Sequence, residues 1–249
     1  MVQPIPGFWL QRPNLSALEL AALTGYELVV LDMEHGALTR ETCDTLVAMG
    51  RALGLVVLVR VAESERILIQ QALDYGATGV MLPMIRDAAH AAEASAYSKY
   101  PPLGRRGVGG GRAFDYGAYQ EIDKSYHETS NSKTRCYVMI ETAKALEDVD
   151  AIATLPTVDG LFIGPSDLSI ARGRGAFQFA SGDQEDFRRV ARACKSQGKS
   201  LGLPASTPAA LTLAREVGAA YVTLTDDLSA HRIGFLQARS MLGGGIGER

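Results

Sequence analysis

The sequence has few cysteines, and they are scattered: Cys43, Cys136 and Cys194 in 249 residues. An odd, widely spaced set builds neither a disulfide framework nor a zinc knuckle, and it suits a reducing compartment. Positive charge is not in surplus either. Lys plus Arg number 25 against 28 Asp plus Glu, a formal net charge of −3. With no basic run, nucleic acid is not an expected partner, and an anionic ligand has to be small and locally recognised. No apolar stretch reaches membrane-spanning length, because Asp32, Arg60 and Gly164 interrupt or end the best ones. Residues 1–7 lack a charged segment followed by an apolar one, so no signal peptide is expected. The reading is a soluble cytoplasmic protein with no membrane partner. No early G-x-G-x-x-G follows a strand to build a dinucleotide crevice. The glycine-rich stretch at 105–112 lacks the Lys-Ser/Thr of a P-loop, and Gly164-Pro165-Ser166-Asp167 lacks the G-x-S-x-G form of a nucleophile elbow.

What is present is a repeat. Short apolar, β-branched runs recur at residues 8–10, 28–31, 56–59, 79–82, 137–140, 160–163, 200–203 and 221–224. Most are continuously apolar, as strands buried on both faces of a parallel sheet are. Helical spacing fills the gaps. Ser16 with Glu19, Ser64, Asp183 and the pair Thr207-Pro208 read as helix starts. Gly25, Gly54, Gly76, Gly198 and Gly218 each follow a helical segment and precede a strand, where glycine ends a helix in the left-handed conformation. Serial strand, helix and glycine units predict an α/β fold, a (β/α)₈ TIM barrel, over 1–249 as a single domain. One connection is too long: after a helix over 87–99, a stretch rich in Gly, Arg and Tyr runs to residue 134. A second helix is expected near 113–130, covering the barrel mouth or meeting a neighbour.

Chemistry in such a barrel sits at the C-terminal ends of the strands. Trp9 lies in the first strand. Asp32, Glu34 and His35 follow the second, Arg60 the third and Pro83 the fourth. Glu141 closes the fifth, Gly164-Pro165-Ser166-Asp167 follow the sixth, and Asp226 and Asp227 follow the eighth. Glu141 and Asp167 end consecutive strands and read either as ligands of a hard divalent ion (Mg²⁺, Mn²⁺ or Co²⁺, with Zn²⁺ not separable by spacing) or as acids favoured at helix starts. Arg60 reads either as a donor fork for a carboxylate or enolate oxygen or as a structural pair with Glu63 or Asp32. His35 suits a general base or a solvated loop histidine. Asp74, near a helix end, reads from spacing as a solvated residue, and Ser166 is ambiguous. The stretch 105–112 reads as an anion cradle or a lid.

Five elements occur in order: Asp32-x-Glu34-His35; the Arg60 strand end; Tyr100-Pro101-Pro102 leading to Arg106-Gly107-Val108-Gly109; Ile140-Glu141-Thr142; and Phe162-Ile163-Gly164-Pro165-Ser166-Asp167-Leu168-Ser169. Together they resemble the HpcH/HpaI aldolase/citrate lyase family, the metal-dependent class II pyruvate aldolases such as 4-hydroxy-2-oxoheptanedioate aldolase. The resemblance runs over nearly the whole chain. It implies a barrel assembled as a homohexamer, a trimer of dimers that exchange their last helix. It implies that Glu141 and Asp167 bind the metal and that His35 is the catalytic base. Arg60 would then stabilise the transition state, and Asp74, from a neighbouring part of the assembly, would raise the basicity of His35. Gly164, Pro165, Ser166 (through its backbone N–H) and Asp167 would contact the 2-oxo acid, with Trp9 as a pocket aromatic. One departure stands out: several characterised aldolases carry Gln two residues before the metal-binding Glu, and here that residue is Met139.

The implied reaction joins or splits pyruvate, or hydroxypyruvate, and an aldehyde through a metal-stabilised enolate. Its nearest rivals are a Schiff-base aldolase and a metal-dependent oxaloacetate decarboxylase or citrate-lyase-like enzyme. A barrel kept only for binding is the third. The Schiff base needs a desolvated lysine at a strand end, and none of Lys99, Lys124, Lys133, Lys144, Lys195 and Lys199 ends a central strand.

Overall fold

The computed structural model describes residues 3–109, 111–117 and 124–241. Eight parallel strands close into a barrel in chain order, each hydrogen-bonded to the next and the eighth to the first. They are β1 (Ile5–Leu10), β2 (Leu28–Asp32), β3 (Val56–Arg60), β4 (Gly79–Leu82), β5 (Arg135–Ile140), β6 (Gly160–Ile163), β7 (Ser200–Pro204) and β8 (Tyr221–Asp226). All eight expected strands are there, with β1, β5 and β8 two or more residues longer than their apolar runs. Between them lie α1 (Leu15–Leu23), α2 (Arg40–Ala52), α3 (Arg66–Asp74) and α4 (Ala88–Ala96), then α5 (Lys124–Lys133), α6 (Ala143–Glu147) and α7 (Val149–Thr154). α8 (Pro165–Ala171), α9 (Ser181–Gln197), α10 (Pro208–Glu216) and α11 (Asp227–Ser240) complete the outer layer.

Strand alternation divides the apolar residues into two sets. One set, including Val29, Leu31, Val57, Val59, Val80 and Val138, packs outward against the helices. The other fills the barrel: Leu28, Val30, Leu58, Met81, Tyr137, Met139, Phe162 and Tyr221, with Trp9 and Val56 against them. The inward columns of β2, β3 and β5 end in Asp32, Arg60 and Glu141 at the rim. Asp32 pairs in register with Arg60 across β2 and β3, so the barrel itself places a carboxylate beside a guanidinium.

The five glycines expected to end helices all have φ between 62° and 90°. Thr207 caps α10 by accepting from Ala210 N–H. Three other expected caps are corrected. α1 starts two residues earlier than a Ser16 cap requires, because Asn14 Oδ1 accepts from Ala17 N–H. Ser64 does not cap α3; its hydroxyl donates instead to the Pro83 carbonyl at 2.7 Å. Asp183 lies inside α9, where it accepts from Ala180 N–H and pairs with Arg174.

The long connection is also corrected. It leaves α4 and enters β5 at the strands' N-terminal end, opposite the mouth. Its described parts include a short 3₁₀ turn (Arg112–Gly117) and α5. Residue 110, and residues 118–123 of the expected second helix, lie outside the described residues. Arg106 and Arg112 bind this connection to Asp74 and to Asp44 with the Tyr75 carbonyl, along α2 and α3. The described parts therefore do not cover the mouth of their own barrel, the first of the two roles expected for it. Among the described residues no helix is long and apolar enough to cross a membrane.

Candidate active site

Arg60 is the hinge of the mouth. Its Nε and Nη2 donate to the two oxygens of Asp32 at 3.0 and 2.7 Å, a bidentate fork in which Asp32 is fully buried. Its Nη1 lies 3.0 Å from Glu34 Oε2, and its guanidinium covers the Trp9 ring, 4.7 Å from the centroid. Trp9 is held in turn by Nε1 donating to Thr223 Oγ1 at 3.0 Å and by an edge contact with Phe162. The structural pair expected of Arg60 is there, with Asp32 and not Glu63. Asp32 Oδ1 also accepts from the Glu34 and His35 N–H groups, at 3.1 Å each, and so folds the loop that carries His35. Burial alone pushes the Asp32 carboxyl up, but the bond and charge of Arg60, with these two N–H groups, hold it below its ordinary value.

Glu34 was visible in the sequence only as a neighbour of His35. In the structure its Oε2 is buried, meets Arg60 without a hydrogen bond of good geometry, and lies 3.9 Å from His35 Nε2. Burial pushes its carboxyl up, and Asp32 and Asp167 add to the shift. The His35 side chain is largely exposed.

Glu141 sits across the mouth and is buried. Its Oε1 accepts from Met84 N–H at 2.5 Å. Its Oε2 lies so close to Gly164 that a Cβ on that residue would collide with it. Burial, with the charges of Glu34 and Asp167, pushes the Glu141 carboxyl up to about 7. Asp167, in the first turn of α8, is exposed and faces the same space. Gly164 precedes that helix and Pro165 begins it, with Ser166 exposed beside Asp167. Met139, two residues below Glu141, is buried in the interior cluster and pairs in register with Phe162.

The donor set fits a hard divalent ion: two carboxylates, one desolvated, in a mouth that otherwise gathers uncompensated negative charge. Among the described residues no group of three or more His, Cys, Asp or Glu forms a metal cage, so Glu141 and Asp167 would leave positions open for substrate. The thiols do not compete, since burial pushes Cys43, Cys136 and Cys194 up to about 12.

Asp74 is not brought to this mouth within the chain. α3 runs antiparallel to the strands, so Asp74 lies a strand's length away, roughly 16 Å for five residues. There it accepts from Arg106 at 2.9 Å. Lys99 and Lys199 are bonded to carbonyls at the opposite end, and Lys144 pairs with Asp148 on α6.

Residues 6–225 match the family described as HpcH/HpaI aldolase/citrate lyase. The chain belongs to that family. It is a carbon–carbon lyase, and aldolases are among its relatives. A 2-dehydro-3,6-dideoxy-6-sulfogluconate aldolase from Pseudomonas putida is 32% identical over 90% of this chain and 86% of its own length. A hydroxypyruvate/pyruvate aldolase from Paraburkholderia phytofirmans is 33% identical over 90% of this chain and 88% of its own. The crystal structure of an HpcH/HpaI aldolase from Desulfitobacterium hafniense superposes with a TM-score of 0.88 at 29% identity, over 99% of this chain and 95% of that one.

Proposed function

We propose that the chain is a metal-dependent aldolase that joins or splits a 2-oxo acid of the pyruvate or hydroxypyruvate class and an aldehyde. The observation that carries this reading is the pair Glu141 and Asp167 facing one mouth across from Arg60, with one pushed up to about 7 by burial and by its acidic neighbours. Glu141 and Asp167 would hold a divalent cation, and oxygen donors favour Mg²⁺, Mn²⁺ or Co²⁺. When bound, the cation supplies Lewis acidity to the two oxygens of a 2-oxo acid.

The chain's own residues supply the rest. Arg60, fixed by Asp32, Glu34 and Trp9, sets a positive charge beside the carbonyl oxygen of the 2-oxo acid, where negative charge builds as the carbon–carbon bond breaks. His35 takes the proton of the 4-hydroxyl in cleavage, directly or through water, and returns it in synthesis. Gly164, Pro165 and Ser166 contact the acid, Ser166 through its N–H. Met139 offers no hydrogen bond where a Gln would, so the floor below the acid is apolar.

Assembly completes the proposal. Ile233 and Phe235 on α11 are 56% and 76% exposed, which supports packing of this helix on a second copy, in a hexamer built as a trimer of dimers. Asp74, remote from its own mouth, would serve His35 across such a contact.

The test is to strip the protein of metal and restore Mg²⁺, Mn²⁺ or Co²⁺ singly, with pyruvate and hydroxypyruvate against an aldehyde panel. Activity lost on stripping and regained on re-addition supports the reading. Full activity in chelator, or a stable adduct on borohydride trapping with pyruvate, overturns it. CO₂ released from oxaloacetate with no aldehyde turned over would make the enzyme a decarboxylase.

A further inference from the structure

The turn after β4 has no role so far, yet it touches Glu141, a buried acid of the mouth. Met84 has φ 51°, a left-handed backbone that an ordinary side chain adopts at some cost. Its side chain is half exposed, so packing does not pay for that conformation. The turn is moored on both sides. Ser64 Oγ donates to the Pro83 carbonyl at 2.7 Å, and Thr142 Oγ1 donates to the Ile85 carbonyl at 2.9 Å. Between these moorings the Met84 N–H donates to Glu141 Oε1 at 2.5 Å. The other oxygen has no room to turn away, because Glu141 Oε2 lies against the bare Cα of Gly164.

We infer that the β4–α4 turn is a positioning device: the left-handed Met84 N–H occupies Glu141 Oε1 and so makes Glu141 a one-oxygen ligand that offers Oε2 to the cation. The inference rests on the metal reading above and goes beyond it by naming the group that sets the ligand's geometry. Without the N–H, Glu141 could rotate or take the ion through both oxygens, and a position needed by the 2-oxo acid would be lost. Groups that orient a metal ligand typically change metal affinity about 10- to 100-fold when removed.

The experiment is Mn²⁺ binding to metal-stripped protein, read as free Mn²⁺ by electron paramagnetic resonance, with no turnover involved. Met84→Gly keeps the N–H and relaxes the left-handed residue, so affinity stays within about twofold of wild type. Met84→Val places a β-branched residue where it resists that conformation, and affinity falls by at least about tenfold. Thermal unfolding checks that the variants fold. Should Met84→Val fail to fold, Ser64→Ala decides, since it frees one mooring and weakens Mn²⁺ binding several-fold. Wild-type affinity in each folded variant meant to disturb the turn, or a loss in Met84→Gly as large as in Met84→Val, overturns the inference and leaves the metal reading standing. Wild-type protein that binds no Mn²⁺ at millimolar concentration overturns both.

Discussion

The two ends of the barrel hold buried cations in different ways. At the strands' N-terminal end Lys99 is 1% exposed, and its ammonium meets the Asn131 carbonyl, the Thr134 carbonyl and Asp159 at 3.0, 2.6 and 2.7 Å. Three donors find three acceptors. Lys199 does much the same with the carbonyls of Leu155 and Val158. At the C-terminal end Arg60 is also buried, but it faces Asp32 and Glu34 together, and Glu141 and Asp167 share the mouth. Acceptors outnumber donors there. A buried polar group left unmatched is expensive, so the closed network reads as a lock and the open one as a place awaiting a ligand.

The comparison can be broken most decisively at Arg60. Arg60→Ala should lower kcat by about 10²- to 10³-fold, measured in the aldol cleavage assay on protein shown to be folded; a near-normal rate would remove Arg60 from the reaction. Lys99→Met should do the reverse. It leaves Asp159 without its main partner and costs about 3 kcal/mol of stability, read by urea unfolding, while kcat of the folded fraction stays at the wild-type value. A large fall in kcat would mean that the two ends are coupled. The acid limb sharpens the contrast further. Asp32 has a folded value below the ordinary 3.8, so its contribution is fully present above about pH 4 and is lost as pH falls through the lower folded value. Asp32→Asn should therefore be less stable at pH 6 and lose less stability than wild type between pH 5 and 2, as followed by thermal unfolding. The smallest effect belongs to Thr207→Ala, an ordinary cap outside both networks, which should cost about 1 kcal/mol and leave catalysis alone; a change in KM would show that α10 reaches the mouth.

Much of the fold could be read because its signals are local. Apolar runs bounded by glycine mark strands, and Gly25 through Gly218 mark helix ends, without any knowledge of partners. The caps misread were those where several oxygens compete. Asn14 and Ser16 are both capable, and it is Asn14 whose Oδ1 takes the Ala17 N–H. Ser64 lost its helix role to a carbonyl from another βα unit. The mouth was legible to the extent that it depends on strand ends: Trp9, Arg60, Glu141 and Asp167 project to one rim. What closure of the barrel creates was not. Glu34 acquires meaning only when β3 delivers Arg60, and the contact of Met84 with Glu141 spans 57 residues. The left-handed backbone of Met84 has no sequence signature, since methionine is not a residue that invites it. Asp74 read from spacing as a solvated residue near a helix end, and what spacing could not offer was its partner Arg106, 32 residues on.

Asp227 begins α11, and its two oxygens accept from the N–H groups of Gln11 and Arg12, just beyond Trp9. The first rim loop is thus tied to the final helix, more than two hundred positions later in the polypeptide. Order in the loop beside Trp9 thus depends on α11 being docked, and a change that loosens that helix slackens the entrance as well.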